Sequence, residues 1–200
     1  MNYFWTADTH FNHAKILEYS KRPFSSVEEM NEKLISNWNE KIQKGDIVYH
    51  LGDYGFTRKM GLDPYQNIKN ILNRLNGQVN LILGNHDLQN YGQKILSLFA
   101  STSLLRDKTI DNVRIIMCHY PMIVWPGKHK GSIMLCGHSH QNLPVTRRDS
   151  KVMGKILDVG VDGNNFYPYS FDEIKSIMDK KPMFPNNPIF KDHHDEREED

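Results

Sequence analysis

The sequence predicts an α/β protein whose sheets are covered by helices, and three observations support this prediction. Short apolar runs typical of buried strands alternate with longer segments whose apolar residues recur at helical spacing. At Ser26 and Ser170, a serine followed three positions later by a glutamate forms a capping box, which marks the start of a helix. No internal repeat or linker divides the chain, so we expect one domain over residues 1–180.

Each predicted strand is a short, mostly apolar run bounded by polar residues or glycine. In chain order, the predicted strands are Asn2–Ala7, Asp46–Leu51, Val79–Leu83, Val113–Met117, Ile133–Leu135 and Ile156–Val159. The predicted helices have the residue pattern and capping signals of segments that pack one face on a sheet. In chain order, they are Ser26–Ile42, Pro64–Leu75, Tyr91–Phe99 and Ser170–Met178.

The amino-acid composition and net charge exclude several classes of protein. The 200 residues are 38% hydrophobic and carry a formal net charge of +1, which is typical of a soluble globular protein and provides no general attraction to nucleic acid or anionic membrane. No apolar run approaches the roughly 20 residues of a membrane helix, and the first run lacks the length and flanks of a signal peptide. Two cysteines, Cys118 and Cys136, are too few for a disulfide framework, which indicates a reduced, cytoplasmic protein.

The last part of the chain differs in composition from the rest. Residues 181–200 are rich in proline and asparagine and then in acidic residues. We expect this segment to be a solvated, partly disordered tail, because it offers little apolar surface to bury.

Polar side chains collect where five predicted strands end. These side chains are Asp8 and His10, Asp53, Asn85 to Asp87, His119, and His138 with His140. In an open α/β sheet, ligands bind at the carboxyl ends of the strands. Asp8 and His10 are two positions apart, as are the two histidines of the last pair, and residues two apart in extended chain point to the same side. We therefore expect these groups to converge on one place.

The types of side chain at the strand ends are those of a metal site. Neutral imidazoles, carboxylates and an amide oxygen suit borderline divalent ions. Seven of these residues can act as ligands, namely Asp8, His10, Asp53, Asn85, His119, His138 and His140. Seven ligands are too many for one tetrahedral zinc and fit two metals that share a bridging carboxylate. Two metals about 3.5–4 Å apart can activate a water and hold a phosphoryl group for in-line displacement.

In this order, the motifs resemble those of the calcineurin-like metallophosphoesterase superfamily over about residues 1–165. Three further stretches resemble a small subgroup of bacterial and phage phosphoesterases. They are Phe11-Asn12-His13, Lys21-Arg22-Pro23-Phe24 and Gly160-Val161-Asp162. The resemblance implies a four-layer α-β-β-α sandwich of two mixed sheets flanked by helices. It also implies two divalent metal ions, with Mn²⁺ as the first choice and Fe²⁺, Ni²⁺ or Zn²⁺ as alternatives.

The resemblance also implies a role for each motif residue. Asp8, His10 and His140 would hold the first metal. Asn85, His119 and His138 would hold the second, and Asp53 would bridge both. His86 would protonate the leaving oxygen, a task that suits histidine because this residue type titrates near neutral pH, and Asp87 would orient its ring.

Two residues near the motifs have open roles. His13 could contact the substrate phosphate, or it could begin the following helix in solvent. Arg22 could pair with the phosphate through its planar guanidinium, or it could simply cover the neighbouring helix. In the loop after His119, Trp125 could stack on a substrate ring or anchor the loop. His50 lies three residues before Asp53, so we expect it on the opposite face of its strand, in a hydrogen-bonded structural role.

Three functions are consistent with these motifs. The favoured one is a dinuclear-metal phosphoesterase that hydrolyses a small phosphate ester, with diesters favoured over monoesters. The stretch from Gly52 to Thr57 lacks the second aspartate and the arginine of protein phosphatases, which argues against that branch. The alternatives are a nuclease acting on nucleic acid ends, which the near-zero net charge disfavours, and a non-catalytic scaffold, which the presence of His86 disfavours. No protein partner can be identified from the sequence.

Overall fold

The computed structural model describes residues 1–57 and 63–183. Most of the predicted tail, from residue 184 to residue 200, lies outside the described residues. The start of that segment is packed, because Lys181 is buried and its Nζ donates hydrogen bonds to the carbonyl oxygens of Arg147 and Ser150, both at 2.7 Å.

The described residues form nine strands and six α-helices. The strands are β1 (Tyr3–Thr6), β2 (Ile47–His50), β3 (Gln78–Ile82), β4 (Ser101–Ser103), β5 (Leu105–Ile110), β6 (Val113–Cys118), β7 (Ile133–Cys136), β8 (Ile156–Asp158) and β9 (Tyr169–Ser170). The helices are α1 (Ile16–Tyr19), α2 (Val27–Lys41), α3 (Pro64–Leu72), α4 (Asn85–Asn90), α5 (Gln93–Leu96) and α6 (Phe171–Asp179). None of these helices has both the length and the apolar character that crossing a membrane requires.

The strands form two mixed sheets, which confirms the predicted fold class. The first sheet has the order β4-β3-β2-β1-β9, with β9 antiparallel to an otherwise parallel set. The second has the order β5-β6-β7-β8, with β5 antiparallel to β6. Because β1, β2 and β3 are parallel neighbours, their carboxyl ends meet at one edge, and those of β6 and β7 meet in the same way.

Two large apolar clusters hold the sheets and helices together. Residues such as Trp5 of the first sheet and Leu135 of the second belong to one cluster, so the two sheets pack face to face. The other cluster joins the opposite face of the first sheet to α2 and α3, with Trp38 and Ile68 fully buried. A smaller cluster around Trp125 and Met134 covers the outer face of the second sheet.

The two serine caps are present, with one difference. At Ser170 the capping box is complete, because its Oγ accepts from the backbone N–H of Glu173 and the carboxylate of Glu173 accepts from the backbone N–H of Ser170. At Ser26 the cap of α2 is half of a box. Its Oγ accepts from the backbone N–H of Glu29, but the carboxylate of Glu29 accepts from Ser25 instead.

The helix predicted over Tyr91–Phe99 is wrong in its bounds, because the helix found there, α5, spans only Gln93–Leu96. The chain is extended at Tyr91 and at Gly92, so one short helix ends before this pair and another begins after it. The prediction also missed β4, β5 and β9. Strand β5 is an edge strand with four consecutive polar residues, and β9 has only two residues, so neither shows the apolar run of a buried strand.

Candidate metal centre

The predicted ligands converge at the carboxyl ends of β1, β2, β3, β6 and β7. Three groups of side chains each place one ligand atom per residue within 4.8 Å of the others. The groups are Asp8 with His10 and His140, His10 with Asp53 and His86, and Asp53 with His119 and His138. Asp53 and His10 each belong to two groups, so the three groups form one continuous cluster.

The backbone at these positions is not extended, so the reason given for the convergence was wrong. Asp8 has φ 56°, His10 has φ 49°, and His138 and His140 have φ 69° and 45°. Each residue therefore turns into the left-handed region, which non-glycine residues adopt rarely and which is common at functional sites. Backbone hydrogen bonds from Asp8 to Gly52 and from His10 to Asp53, both 3.0 Å, hold the turn against the end of β2.

The Nε2 atom of His119 faces the oxygen atoms of two other candidate ligands. Its Nδ1 lies 2.7 Å from the carbonyl oxygen of Leu51, which can only accept, so Nδ1 carries the proton and Nε2 does not. That Nε2 lies 3.1 Å from Oδ1 of Asn85 and 3.6 Å from Oδ2 of Asp53. With Nδ1 protonated and the ring neutral, three electron-pair donors face one another, and a divalent metal between them fits this side of the cluster.

Asp8 and His10 provide a second indication of a cation site. Both residues are buried, and within the described part of the chain no hydrogen-bond partner reaches Oδ1 of Asp8 or Nε2 of His10. Burial raises the pKa of the Asp8 carboxyl well above its usual value, and the carboxylates of Asp158 and Asp53 raise it further. Burial lowers the pKa of His10 well below its usual value, and His140 adds to that effect. Buried polar atoms are normally satisfied, and here a divalent cation would satisfy both.

His140 is oriented from behind by a carboxylate that the sequence motifs did not assign. Oδ2 of Asp162 accepts a 2.7 Å hydrogen bond from Nδ1 of His140, which leaves Nε2 of this histidine free for a metal. Burial acts to raise the pKa of Asp162, but His140 and Arg22 outweigh it and hold that pKa below its usual value.

Arg22 faces the interior of this assembly rather than the open side of the cluster. It donates to both carboxylate oxygens of Asp162, at 2.8 and 3.0 Å, and to the carbonyl oxygens of Asp8 and Thr9, at 2.6 and 3.0 Å. Its side chain has no exposed surface. This geometry argues against the predicted contact of Arg22 with substrate and indicates a role in positioning Asp162 and the turn after β1.

Asp87 does not orient the ring of His86 in this structure. Its two carboxylate oxygens accept from the backbone N–H groups of Asp53, Tyr54 and Gly84, at 2.8, 3.1 and 2.9 Å. Burial raises the pKa of Asp87 to about 7, although these three hydrogen bonds lower it. Asp87 therefore ties the turn after β2 to the turn after β3.

His86 and His13 lie toward solvent at the same side of the cluster. The side chain of His86 is 33% exposed, and its Nε2 lies 3.9 Å from Oδ2 of Asp53. Its backbone N–H donates to Oδ1 of the same carboxylate at 2.9 Å. The ring of His13 stacks on Phe56 with centroids 4.8 Å apart, and its Nδ1 lies 3.3 Å from Nδ1 of His10.

Two other side chains have structural positions. Nε2 of His50 lies 2.9 Å from Oγ1 of Thr9 inside the protein, as expected for a hydrogen-bonded structural histidine, and burial lowers its pKa to about 3. Trp125 is 3% exposed and donates from Nε1 to the carbonyl oxygen of Ser132 at 3.2 Å. It anchors its loop, so the open alternative of stacking on substrate is not what this structure favours.

Known proteins resemble this chain over most of its length. A family model described as a calcineurin-like phosphoesterase superfamily domain matches residues 1–157. The uncharacterized protein MJ1445 of Methanocaldococcus jannaschii is 34% identical, covering 87% of this chain and 89% of its own. The gene 66 protein of Mycobacterium phage D29 is 27% identical, covering 88% and 96%. The solved structure of AQ665 from Aquifex aeolicus, a protein of unknown function, has a TM-score of 0.66 at 20% identity and covers 88% of this chain and 98% of its own, which bears on the fold alone.

Proposed function

Because this chain belongs to the calcineurin-like phosphoesterase superfamily, we propose that it is a dinuclear-metal phosphoesterase that acts on phosphodiesters in preference to monoesters. One observation carries the proposal. Electron-pair donors of mostly buried side chains lie close together in this cluster, and two of them, Oδ1 of Asp8 and Nε2 of His10, have no hydrogen-bond partner among the described residues. Such a cluster is costly to bury unless cations neutralise it.

We assign the residues to two metal positions. Asp8, His10 and His140 would hold one ion, and His119, His138 and Asn85 would hold the other. Asp53 would contact both, which is consistent with its place in two of the three groups. When bound, two such ions activate a water and polarise the phosphoryl group. Imidazole and carboxylate donors suit Mn²⁺, which we propose as the native ion, and also Fe²⁺, Ni²⁺ or Zn²⁺.

The protein itself would supply the proton for the leaving group. His86 lies beside Asp53 with a third of its side chain open to solvent, so its ring can reach an ester placed over the cluster. A proton on a ring nitrogen of His86 would pass to the leaving oxygen as the ester bond breaks. His13, next to His86 and His10, is placed where it can donate a hydrogen bond to a phosphate oxygen.

We propose that this reaction takes place in the cytoplasm. Both cysteines, Cys118 and Cys136, are free thiols in the described structure, which fits a reducing compartment.

The experiment that tests the function is a metal-rescue assay. Metal-stripped protein is supplied in turn with Mn²⁺, Ni²⁺, Zn²⁺ or Mg²⁺, and hydrolysis of bis-p-nitrophenyl phosphate and p-nitrophenyl phosphate is followed. We expect turnover of the diester with a transition metal and its loss in Asp53→Asn, because the carboxylate shared by both metal positions is neutralised. The same preparations are tested on end-labelled DNA strands. Faster cleavage of the strands than of the diester would favour the nuclease alternative. The absence of hydrolysis with every substrate would favour the non-catalytic scaffold.

A further inference from the structure

One side of the candidate metal centre carries an exposed apolar surface that the proposed chemistry does not use. Five of the large apolar side chains that are exposed in the described residues belong to the segments next to the turns that carry His119 and Asn85, and we call them the apolar rim. They are Leu104, Leu105, Tyr120, Ile123 and Val124, with exposed fractions of 61, 41, 44, 60 and 58%. Exposed apolar surface next to a polar site commonly marks the place where a ligand binds.

The strand pairing places the two leucines at the edge where the metal centre lies. Leu105 pairs with Cys118, the residue before His119. Leu104 follows Ser103, whose carbonyl oxygen accepts a 2.8 Å hydrogen bond from the backbone N–H of Leu83, just before the Gly84 turn. The leucines therefore lie between two of the turns that carry metal-ligand candidates.

Tyr120 connects the rim directly to the candidate ligands. Its ring centroid lies 5.0 Å from that of His119 and 4.7 Å from that of His138, with edge-to-face geometry in both pairs. The ring contacts of His86, by contrast, are with His10 and His13. Tyr120 and His86 thus lie against different parts of the cluster.

Hydrogen bonds hold the loop that carries Ile123 and Val124 in place. Nζ of Lys128 donates to the carbonyl oxygen of Ile123 at 2.6 Å and lies 4.6 Å from the ring centroid of Trp125. Oγ of Ser132 donates to the carbonyl oxygen of Pro126 at 2.6 Å, so the loop is closed at its base. Two aliphatic side chains are therefore held exposed on a fixed loop, which reduces the entropy lost when a ligand covers them.

We propose that the apolar rim binds the organic group that stays on the phosphate, and that the natural substrate is therefore a small phosphodiester with an aromatic or otherwise apolar retained group. This inference rests on the proposed function. If the leaving group lies at the proton donor His86, the retained group lies on the side of Tyr120, where its ring can stack. The segment from Tyr120 to Trp125 carries no charged residue, which is unlike a surface that follows the backbone of a long nucleic acid.

A series of diesters with one leaving group tests this inference. Methyl, phenyl and thymidine-5′ esters of p-nitrophenyl phosphate all release p-nitrophenolate, so differences in kcat/KM report on the retained group. We expect the phenyl ester to exceed the methyl ester by roughly tenfold or more, mainly through KM, because a buried ring gains apolar contact. Tyr120→Ala and Val124→Ser should remove most of that preference. Val152→Ser, a change at another exposed valine, should leave the preference intact.

A binding measurement separates failure of this inference from failure of the proposed function. Calorimetry compares diphenyl phosphate with dimethyl phosphate on Mn²⁺-loaded protein and needs no turnover. Tighter binding of diphenyl phosphate that depends on Tyr120 supports the rim even if no ester is hydrolysed. Equal binding of the two, or an active enzyme in which Tyr120→Ala slows the methyl and phenyl esters equally, would overturn the inference. Salt-dependent preference for DNA strands over every small diester would overturn it as well.

Discussion

At the scale of single residues, the candidate metal centre depends on side chains that hold the ligands from behind. Asp162 and Arg22 form a buried pair that contacts His140 on one side and the carbonyl oxygens of Asp8 and Thr9 on the other. The pair fixes both the imidazole and the left-handed turn that presents Asp8. Partners of this kind set the orientation of a metal ligand and the nitrogen that remains free for the metal.

Replacing Arg22 with lysine should therefore weaken both the fold and the metal site. Lysine keeps the charge but cannot reproduce the four hydrogen bonds that the guanidinium makes to oxygen atoms. We expect a loss of about 3 kcal/mol in the free energy of unfolding, because the largely buried carboxylate of Asp162 loses its two-point contact. Urea unfolding measures this loss, and calorimetric titration with Mn²⁺ should show an affinity about 10- to 100-fold lower.

The matched control is the same substitution at Arg74. This arginine makes a comparable two-point contact with Glu32, but its side chain is 46% exposed. Arg74→Lys should change the free energy of unfolding by about 1 kcal/mol or less and leave Mn²⁺ affinity unchanged. Equal effects of the two substitutions would contradict a positioning role for Arg22.

His86→Asn tests a different role at the same scale. His86 belongs, with His10 and Asp53, to one of the three groups of side chains that could hold a metal ion. Our proposal instead makes it a proton donor. We expect Mn²⁺ affinity to stay within about twofold of the wild type and kcat to fall by about 10²- to 10⁴-fold. The fall should be larger for alkyl than for p-nitrophenyl leaving groups, because poor leaving groups need the proton. A large loss of metal affinity would identify His86 as a ligand instead.

At the scale of elements, helix α4 and the turn after β2 form one unit. The carboxylate of Asp87 in α4 accepts hydrogen bonds from three backbone N–H groups in the turns after β2 and β3. The carboxylate of Asp53 accepts a hydrogen bond from the backbone N–H of His86. Gly84 lies between them, and a Cβ at this position would lie 2.6 Å from the backbone nitrogen of Asp53. The close approach of these two turns brings His86, the proposed proton donor, next to Asp53.

Gly84→Ala should therefore separate the two turns. We expect metal binding to be lost and the free energy of unfolding to fall by more than about 2 kcal/mol, because backbone must move to relieve the overlap. Gly92→Ala is a matched control, since Gly92 also precedes a short helix but has nothing within 4 Å of its Cβ position. This control should cost about 1 kcal/mol or less. If Gly84→Ala binds Mn²⁺ with the affinity of the wild type, the two turns can move apart without disturbing the site.

The elements also show which local features could be predicted. The serine caps and the strands before the motifs were predicted because each depends on a few adjacent residues. The helix predicted over residues 91–99 was too long, because extended backbone at Tyr91 and Gly92 delays its start and the helix ends at Leu96. The extended geometry assumed for Asp8 and His10 was wrong because hydrogen bonds to the turn after β2 hold these residues in left-handed conformations.

At the scale of the whole molecule, two mixed sheets bring five strand ends to one edge. The family could be predicted from the resemblance of the ordered motifs, and the convergence of the motif residues could be predicted because polar side chains follow directly after apolar runs. Asp162 and Tyr120 could not be assigned in this way. Asp162 contacts Arg22 across 140 positions of sequence, and Tyr120 acquires its place only when two histidine-bearing turns meet. Such contacts arise from the packing of distant segments, which local patterns do not report.

The same convergence predicts that metal binding stabilises the whole fold. Burial raises the pKa of Asp8, and the carboxylates of Asp158, Asp53 and Asp162 raise it further, so the charged form of Asp8 is costly in the absence of a cation. A cation that binds only the folded chain adds about 2.7 kcal/mol at a concentration 100 times its Kd. For a protein of this size, that corresponds to a rise in Tm of roughly 5–10 °C.

Thermal unfolding of chelator-treated protein with and without Mn²⁺ measures this stabilisation directly. Asp53→Asn should reduce the Mn²⁺-dependent rise in Tm, because it removes the charge shared by both metal positions. Val152→Ser, a change at an exposed residue that is not a candidate ligand, should keep the full rise. A Tm that does not respond to Mn²⁺, Ni²⁺ or Zn²⁺ in the wild type would contradict the metal centre itself. A full rise in Tm without hydrolysis of any ester would keep the metal centre and point to a scaffold.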